Sequence, residues 1–295
     1  MPNGTKVLPI GGDPVGGGNS DGFAASKDCY GRSTALINNW CPNNIFKNNV
    51  VFGNADDGVD ISLADSILQG NIIFKNGPEG NTGVKFLSRL HNITLDSNIV
   101  AFNLGIGFDI RANISREKDI NLHNIAFNNS NRGISGLPDN AIVKNNLGAY
   151  NFGIDIAGTC ANCTNNWAED TNGDPQIINK DFVIDTNFNS GMNISDRLEH
   201  IRNQFRIALA PASINSPLVD AGVKIDGYHC NTVGEVGNCR TWYGAAPDIG
   251  AYEYNPGIQT GCITRSELNN EIQKFVNAQI GIVDVTNKVV EYLGC

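Results

Sequence analysis

One phrase recurs through the first half of the chain, and it restricts the fold more than any other feature. Ile45-Phe-Lys-Asn-Asn-Val-Val-Phe-Gly-Asn54 is followed by Ile67-Leu-Gln-Gly-Asn-Ile-Ile-Phe-Lys-Asn76, then by related runs over Ile93–Asn103, Ile120–Asn129 and Ala141–Asn151. An aromatic residue returns at Phe52, Phe74, Phe102, Phe127 and Tyr150, a period of 22 to 28 residues. A period in this range marks a solenoid, in which each unit buries its apolar residues only against its neighbours. Every unit holds short apolar, β-branched runs such as Asn71-Ile-Ile-Phe74 and a second one after a glycine, such as Gly58-Val-Asp-Ile61. Strands this short are stable only when stacked coil on coil into parallel sheets around a dry interior. Asn and Gly between the runs tolerate the left-handed backbone of sharp corners. A leucine-rich repeat is the rival solenoid, but its LxxLxLxxN pattern with a helix per unit is missing. The expected fold is all-β, a right-handed parallel β-helix.

The Asn before each apolar run (Asn49, Asn71, Asn98, Asn124, Asn146) is expected to form a structural ladder between coils. After Tyr150 the repeat loosens. Ser216-Pro-Leu-Val-Asp-Ala-Gly222 and Pro247-Asp-Ile-Gly-Ala-Tyr-Glu-Tyr254 resemble the closing coils of β-helix proteins. The catalytic solenoid is therefore assigned to residues 1–256. Residues 257–295 differ in kind: Thr264-x-x-Glu267 reads as a capping box, and Leu268, Ile272, Phe275 and Val276 share one helical face. They predict a short helical tail, a hairpin clipped by Cys262–Cys295, serving as a cap or an attachment module.

Eight cysteines fall as the local pairs Cys29/Cys41, Cys160/Cys163, Cys230/Cys239 and Cys262/Cys295, which predicts disulfides and a secreted, extracellular protein. The zinc alternative lacks a second CxxC or a His pair to answer Cys160-Ala-Asn-Cys163. Thirty acidic and 21 basic residues give a net charge of −9, against a nucleic-acid partner. No apolar run is long enough to span a membrane, and Met1–Gly12 does not read as a signal peptide. A monomer is expected.

The glycines Gly58, Gly83, Gly107, Gly133 and Gly153 set a common register, so Asp60, Lys85, Asp109, Ser135 and Asp155 two residues later should stack on one face, about 4.8 Å apart. Charge concentrates at its start, with Asp56, Asp57 and Asp60 on one coil, Lys85 on the next, and Asp21 in the phrase Ser20-Asp-Gly-Phe-Ala24. Carboxylates so close repel unless neutralised. Calcium suits them, taking roughly six to eight oxygens. The run is not an EF-hand, and a solvated acidic turn is the plainer reading.

Asn54-Ala-Asp-Asp-Gly-Val-Asp60, Gly80-Asn-Thr-Gly-Val-Lys-Phe-Leu87, Gly105-Ile-Gly-Phe-Asp109 and Asn19-Ser-Asp-Gly-Phe-Ala-Ala25 together resemble polysaccharide lyase family 9, the pectate lyases of β-helix fold. The resemblance covers roughly Asn19–Asp155. It implies Asp21, Asp56, Asp57 and Asp60 as calcium ligands and Lys85 as catalytic base. The chain departs from the family pattern in a Cys29/Cys41 insertion between Asp21 and Asp56.

The chemistry of β-elimination needs the same parts: a metal on the substrate carboxylate, and a base for the weakly acidic proton beside it. A lysine at its ordinary pKa of about 10.4 is a poor base at neutral pH, so an alkaline optimum is expected. Asp109, Arg111 and Arg89 are the weaker substrate-binding candidates, with Arg116 and Arg132 near the same face; each is also an ordinary solvated side chain. His91 and His123 look isolated and structural. The implied partner is an acidic polysaccharide, a polygalacturonate- or pectate-type uronan. The alternatives are a non-catalytic polysaccharide-binding β-helix with a structural calcium site, and a β-helix glycoside hydrolase using a carboxyl pair such as Asp56/Asp57.

Overall fold

The computed structural model describes residues 21–25, 44–61, 66–77, 81–86, 93–110, 119–137, 141–158, 162–188, 191–231 and 239–254. The predicted helical hairpin at 257–295 lies outside them, as do Arg89 and Arg111.

Seventeen strands of two or three residues follow the repeat. A single strand, β1 (Phe23–Ala25), opens the described chain. Four full coils come next: β2 (Ile45–Lys47), β3 (Val50–Phe52) and β4 (Val59–Ile61); β5 (Ile67–Gln69), β6 (Ile72–Phe74) and β7 (Val84–Phe86); β8 (Thr94–Asp96), β9 (Ile99–Ala101) and β10 (Phe108–Ile110); β11 (Ile120–Leu122), β12 (Ile125–Phe127) and β13 (Ile134–Ser135). Then β14 (Ile142–Lys144) and β15 (Leu147–Ala149), and β16 (Asn162–Thr164) and β17 (Trp167–Ala168), add to two of the sheets. The three parallel sheets run β1-β4-β7-β10-β13, β2-β5-β8-β11-β14-β16 and β3-β6-β9-β12-β15-β17. A parallel β-helix results, as expected.

The interior is filled by residue rows from all three sheets, among them Val51, Val59, Leu68, Ile73, Phe86, Leu95, Val100 and Phe108. Two corner columns hold the left-handed backbone. Asn48, Gly70, Ser97, His123, Asn145 and Asn165 turn the chain into the third sheet; Gly53, Lys75, Phe102, Asn128 and Tyr150 turn it out again. The glycine column Gly58, Gly83, Gly107, Gly133 serves a different purpose. A Cβ at Gly83 would lie 2.3 Å from Val100, 2.7 Å from Asn103 Nδ2 and 2.9 Å from the Gly107 carbonyl. The coils approach too closely there for any side chain.

Both corners are pinned by asparagines. The expected ladder exists and extends one step: Asn49, Asn71, Asn98, Asn124 and Asn146 each donate a side-chain amide to the Oδ1 of the next, ending on Asn166, at 2.9–3.1 Å. A second ladder, Asn54-Asn76-Asn103-Asn129-Asn151, runs parallel to it and ends on Asp155, whose Oδ1 accepts from Asn151 Nδ2 at 2.7 Å. Here the sequence register is corrected. Ile134 pairs with Ile156, so Asp155 sits level with Gly133 and does not continue the row of Ser135. It is buried as the ladder's terminus.

The register also separates the recurring aromatics. Phe52 and Phe74 pair in the sheet with Ala101, Phe127 and Ala149. Phe102 and Tyr150 stand one residue later, on the corner. All of them face outward, and this outer face is covered. Helix α2 (Ile194–Leu209), following the single turn α1 (Glu169–Asn172), lays Leu198, Ile201, Phe205 and Leu209 over it. Phe205 meets Phe74 edge-on at 5.4 Å, and Phe182 meets Phe102 at 5.2 Å. Leu218 and Ile249 belong to this same outer cluster. The phrases at 216–222 and 247–254 are therefore not closing coils: they pair with each other through Gly222 and Ile249 amides and lie along the solenoid's flank.

A polar clasp fastens the end of that flank, where the predicted disulfide Cys230–Cys239 closes a loop. His123 is not isolated. Its Nε2 lies 2.9 Å from His229 Nε2. His229 Nδ1 accepts from the Ile225 amide at 2.8 Å, so its proton sits on Nε2 and is donated to His123; His123 then donates through Nδ1 to the Gly250 carbonyl at 3.1 Å. Asn145 Nδ2 adds a second donor to His123 Nε2. All four ring nitrogens are spent on partners within the fold, so the pair is structural.

Candidate functional site

The first sheet presents Ala24, Asp60, Lys85, Asp109 and Ser135 outward in register, coil by coil. The residues on either side (Val59 and Ile61, Val84 and Phe86, Phe108 and Ile110) are buried in the interior, which fixes the polar row to the outer surface. Alternation along these strands thus aims the predicted base outward.

Just before each of these strands, a second column aligns Asp21, Asp57, Thr82, Ile106, Arg132 and Ile154. The amide of the following glycine (Gly22, Gly58, Gly83, Gly107, Gly133) donates to the carbonyl one coil on, from Asp57 through to Ile154. Asp57 is the anchor of the acidic cluster. It is 1% exposed; its Oδ1 accepts from the Thr82 amide at 2.7 Å and its Oδ2 from Lys85 Nζ at 2.6 Å. Lys85 Nζ also lies 3.0 Å from Asp60 Oδ2. Asp21 Oδ1 accepts from the Asp57 amide at 3.2 Å, tying the first coil to the second. Thr82 carries no signal in the sequence that marks it as the support of Asp57, because its contribution is a backbone amide.

Four predicted ligands and the predicted base are therefore neighbours, but not as one equivalent set. Asp21, Asp56 and Asp57 offer oxygens all within 4.8 Å of one another; among the described residues, they are the group so arranged. Asp60 stands on the Lys85 side, with Oδ1 buried and without a hydrogen-bond partner. Asp109 pairs in register with Lys85 and is buried, but the ammonium leans toward the opposite coil. Arg89 and Arg111 lie outside the described residues.

Among the described residues the charges are unbalanced: four carboxylates face one ammonium. Burial raises the Asp21 pKa to about 6, helped by the charges of Asp56, Asp60 and Asp57. Asp56 is raised by burial and then by Asp57, against the pull of Lys85. For Lys85, burial acts to lower the pKa, but hydrogen bonds and charge from Asp57 and Asp60 outweigh it and hold the ammonium above the ordinary lysine range. An all-oxygen donor set, mutually repelling acids and an orphaned Asp60 oxygen fit a hard divalent cation.

No protein-family model matches the sequence, and no curated protein does. The fold is similar to the crystal structure of pectate lyase Pel9A, with a TM-score of 0.53 and 20% identity over 80% of this chain and 54% of that one. The chain spans about half the length of that structure. A likeness at this identity bears on the fold.

Proposed function

We propose that the chain is a secreted, calcium-dependent polysaccharide lyase that cleaves a polygalacturonate- or pectate-type uronan by β-elimination. The observation that carries this reading is Lys85: an outward amine 2.6 Å from Asp57 and 3.0 Å from Asp60, beside an acid group with too little counter-charge. The likeness to a pectate lyase fold supports it.

Asp21, Asp56, Asp57 and Asp60 would hold the calcium. The ion supplies a positive centre for the substrate carboxylate and for the negative charge that grows on it. Asp57, fixed by the Thr82 amide, orients the cluster. Lys85 binds on the adjoining coil, one strand step away, and takes the proton from the carbon beside the carboxylate. The C–H electron pair forms the C4–C5 double bond, and the 4-O-linked sugar departs with its electrons. Lys85 must act as the free amine. Its contacts with Asp57 and Asp60 favour the ammonium, so activity should rise toward alkaline pH.

Those same contacts favour one second reading, a non-catalytic uronan-binding β-helix in which Lys85 remains an ammonium. The purified chain incubated with polygalacturonate separates the two. A lyase generates near-ultraviolet absorbance from the unsaturated product with calcium and stops with chelator. Lys85→Ala should lower turnover at least about 100-fold, while calorimetry shows calcium still bound. Uronan binding without product in any condition leaves the binder; Lys85→Ala turning over within a few-fold of the parent refutes the base.

A further inference from the structure

Three of the seven large apolar side chains exposed among the described residues lie in one turn, on coils beyond the acidic cluster: Leu104 (50%), Phe152 (91%) and Ile154 (49%). This clustering is not a product of scattered surface positions. The amides of Leu104, Ser130 and Phe152 donate in sequence to the carbonyls of ladder residues Asn76, Asn103 and Asn129, so these three residues stack coil on coil. Beside them runs the column that begins at Asp21 and Asp57 and continues through Thr82 and Ile106 to Arg132 and Ile154. This strip begins at buried Asp57 and Thr82, passes half-buried Ile106, and ends in an exposed cation flanked by exposed apolar groups. The flank under α2 is filled, whereas the far end of this strip, with Leu104, Arg132, Phe152 and Ile154, is exposed among the described residues. The strip adjoins the outward row of Lys85.

We infer that this strip is the binding track for the sugar units beyond the one at Lys85, with Phe152 as a stacking platform and Arg132 as a carboxylate anchor. The inference rests on the uronan reading above and adds the direction in which the chain lies: along the solenoid axis, away from β1. With strands about 4.8 Å apart, Arg132 stands two coils and about 10 Å from Lys85, and Phe152 three coils and about 14 Å. An extended 1,4-linked chain advances by about one coil per ring, so successive rings meet successive coils. A flat, solvated phenyl face suits the apolar face of a pyranose. A guanidinium suits the planar carboxylate that each uronate carries. An exposed arginine among leucine, isoleucine and phenylalanine is complementary to a polyanion of carbohydrate and would repel a cationic partner.

The test measures affinity by calorimetry in the Lys85→Ala background with calcium, where binding is read without turnover, for galacturonate oligomers from the dimer to the heptamer. Affinity should climb with length until the oligomer reaches Phe152, then level off. Phe152→Ala should make it level off earlier, lowering heptamer affinity about tenfold, equivalent to about 1.4 kcal/mol, with an unchanged melting temperature. Arg132→Gln should lower heptamer affinity, and added salt should narrow its difference from the parent. If the heptamer binds the parent and both variants equally, the track is refuted and the lyase reading stands. If no oligomer binds the parent, both fail. A concentration-dependent dimer abolished by Phe152→Ala would assign the patch to self-association and overturn the track.

Discussion

Asn98 offers the most direct measure of what holds the coils together, and Asn98→Ala is the perturbation. The side chain is fully buried. Its Oδ1 accepts from the Asn71 amide at 3.1 Å and from Asn71 Nδ2 at 2.9 Å. Its Nδ2 donates to the Leu68 carbonyl at 2.8 Å and to Asn124 Oδ1 at 3.0 Å. Truncation does not cost four equal bonds. Asn71 Nδ2 keeps the Phe46 carbonyl, and Asn124 Oδ1 keeps the backbone amide of residue 98. The Asn71 amide is left with no acceptor in a site that water cannot reach, which costs about 1–3 kcal/mol; the other lost bonds add about 0.5–1.5 kcal/mol each. The total is about 2.5–7.5 kcal/mol, a large share of the roughly 5–15 kcal/mol available to a domain. Urea unfolding followed by circular dichroism reads it as a lower midpoint at constant slope. Because Asn71 and Asn98 share two bonds, the double variant should cost at least about 1 kcal/mol less than the two single variants combined. A cost below about 1 kcal/mol for Asn98→Ala, or strict additivity in the cycle, would refute the ladder as a cooperative network.

Gly83→Ala should destabilise by about 2–3 kcal/mol through overpacking, since its Cβ would stand 2.3 Å from Val100 and 2.9 Å from the next coil's carbonyl; a melting temperature equal to the parent's would contradict that contact. The clasp should show its own pH signature. Burial, then Arg240, lowers His229 from 6.5 to about 4, and His123 is lowered in the same direction. An unfolded chain takes up these protons first, so the stabilisation is full above about pH 6.5 and is lost as pH falls toward 4, about 3 kcal/mol for His229. Burial raises Glu253 to about 7 and Asp248 to about 6, which acts with the opposite sign over an overlapping range. The readout is therefore the difference between the parent and His229→Gln. That gap should shrink by about 3 kcal/mol between pH 7 and pH 4, and curves that stay parallel would contradict the neutral pair.

Much of this protein was written in its repeat. A period of 22 to 28 residues, alternating strands and a glycine before each outward position placed Asp60, Lys85 and Asp109 in one row, because strand pairing with a side-chain period of two leaves little choice. The first asparagine ladder was legible for the same reason. The helix Ile194–Leu209 also has a signal in the sequence, the 3–4 spacing of Leu198, Ile201, Phe205 and Leu209 after the capping Asn193. What only the tertiary structure decided are meetings between residues with no fixed sequence separation: Asp57 held by the Thr82 amide, Asp155 drawn out of the polar row to end a ladder, His123 facing His229 across 106 residues, and a flank wrapped by residues that looked like more coils. A repeat dictates contacts between equivalent positions of successive coils. Where the chain leaves the repeat, partners are chosen by which buried donors and apolar surfaces remain uncovered, and that is a property of the folded whole.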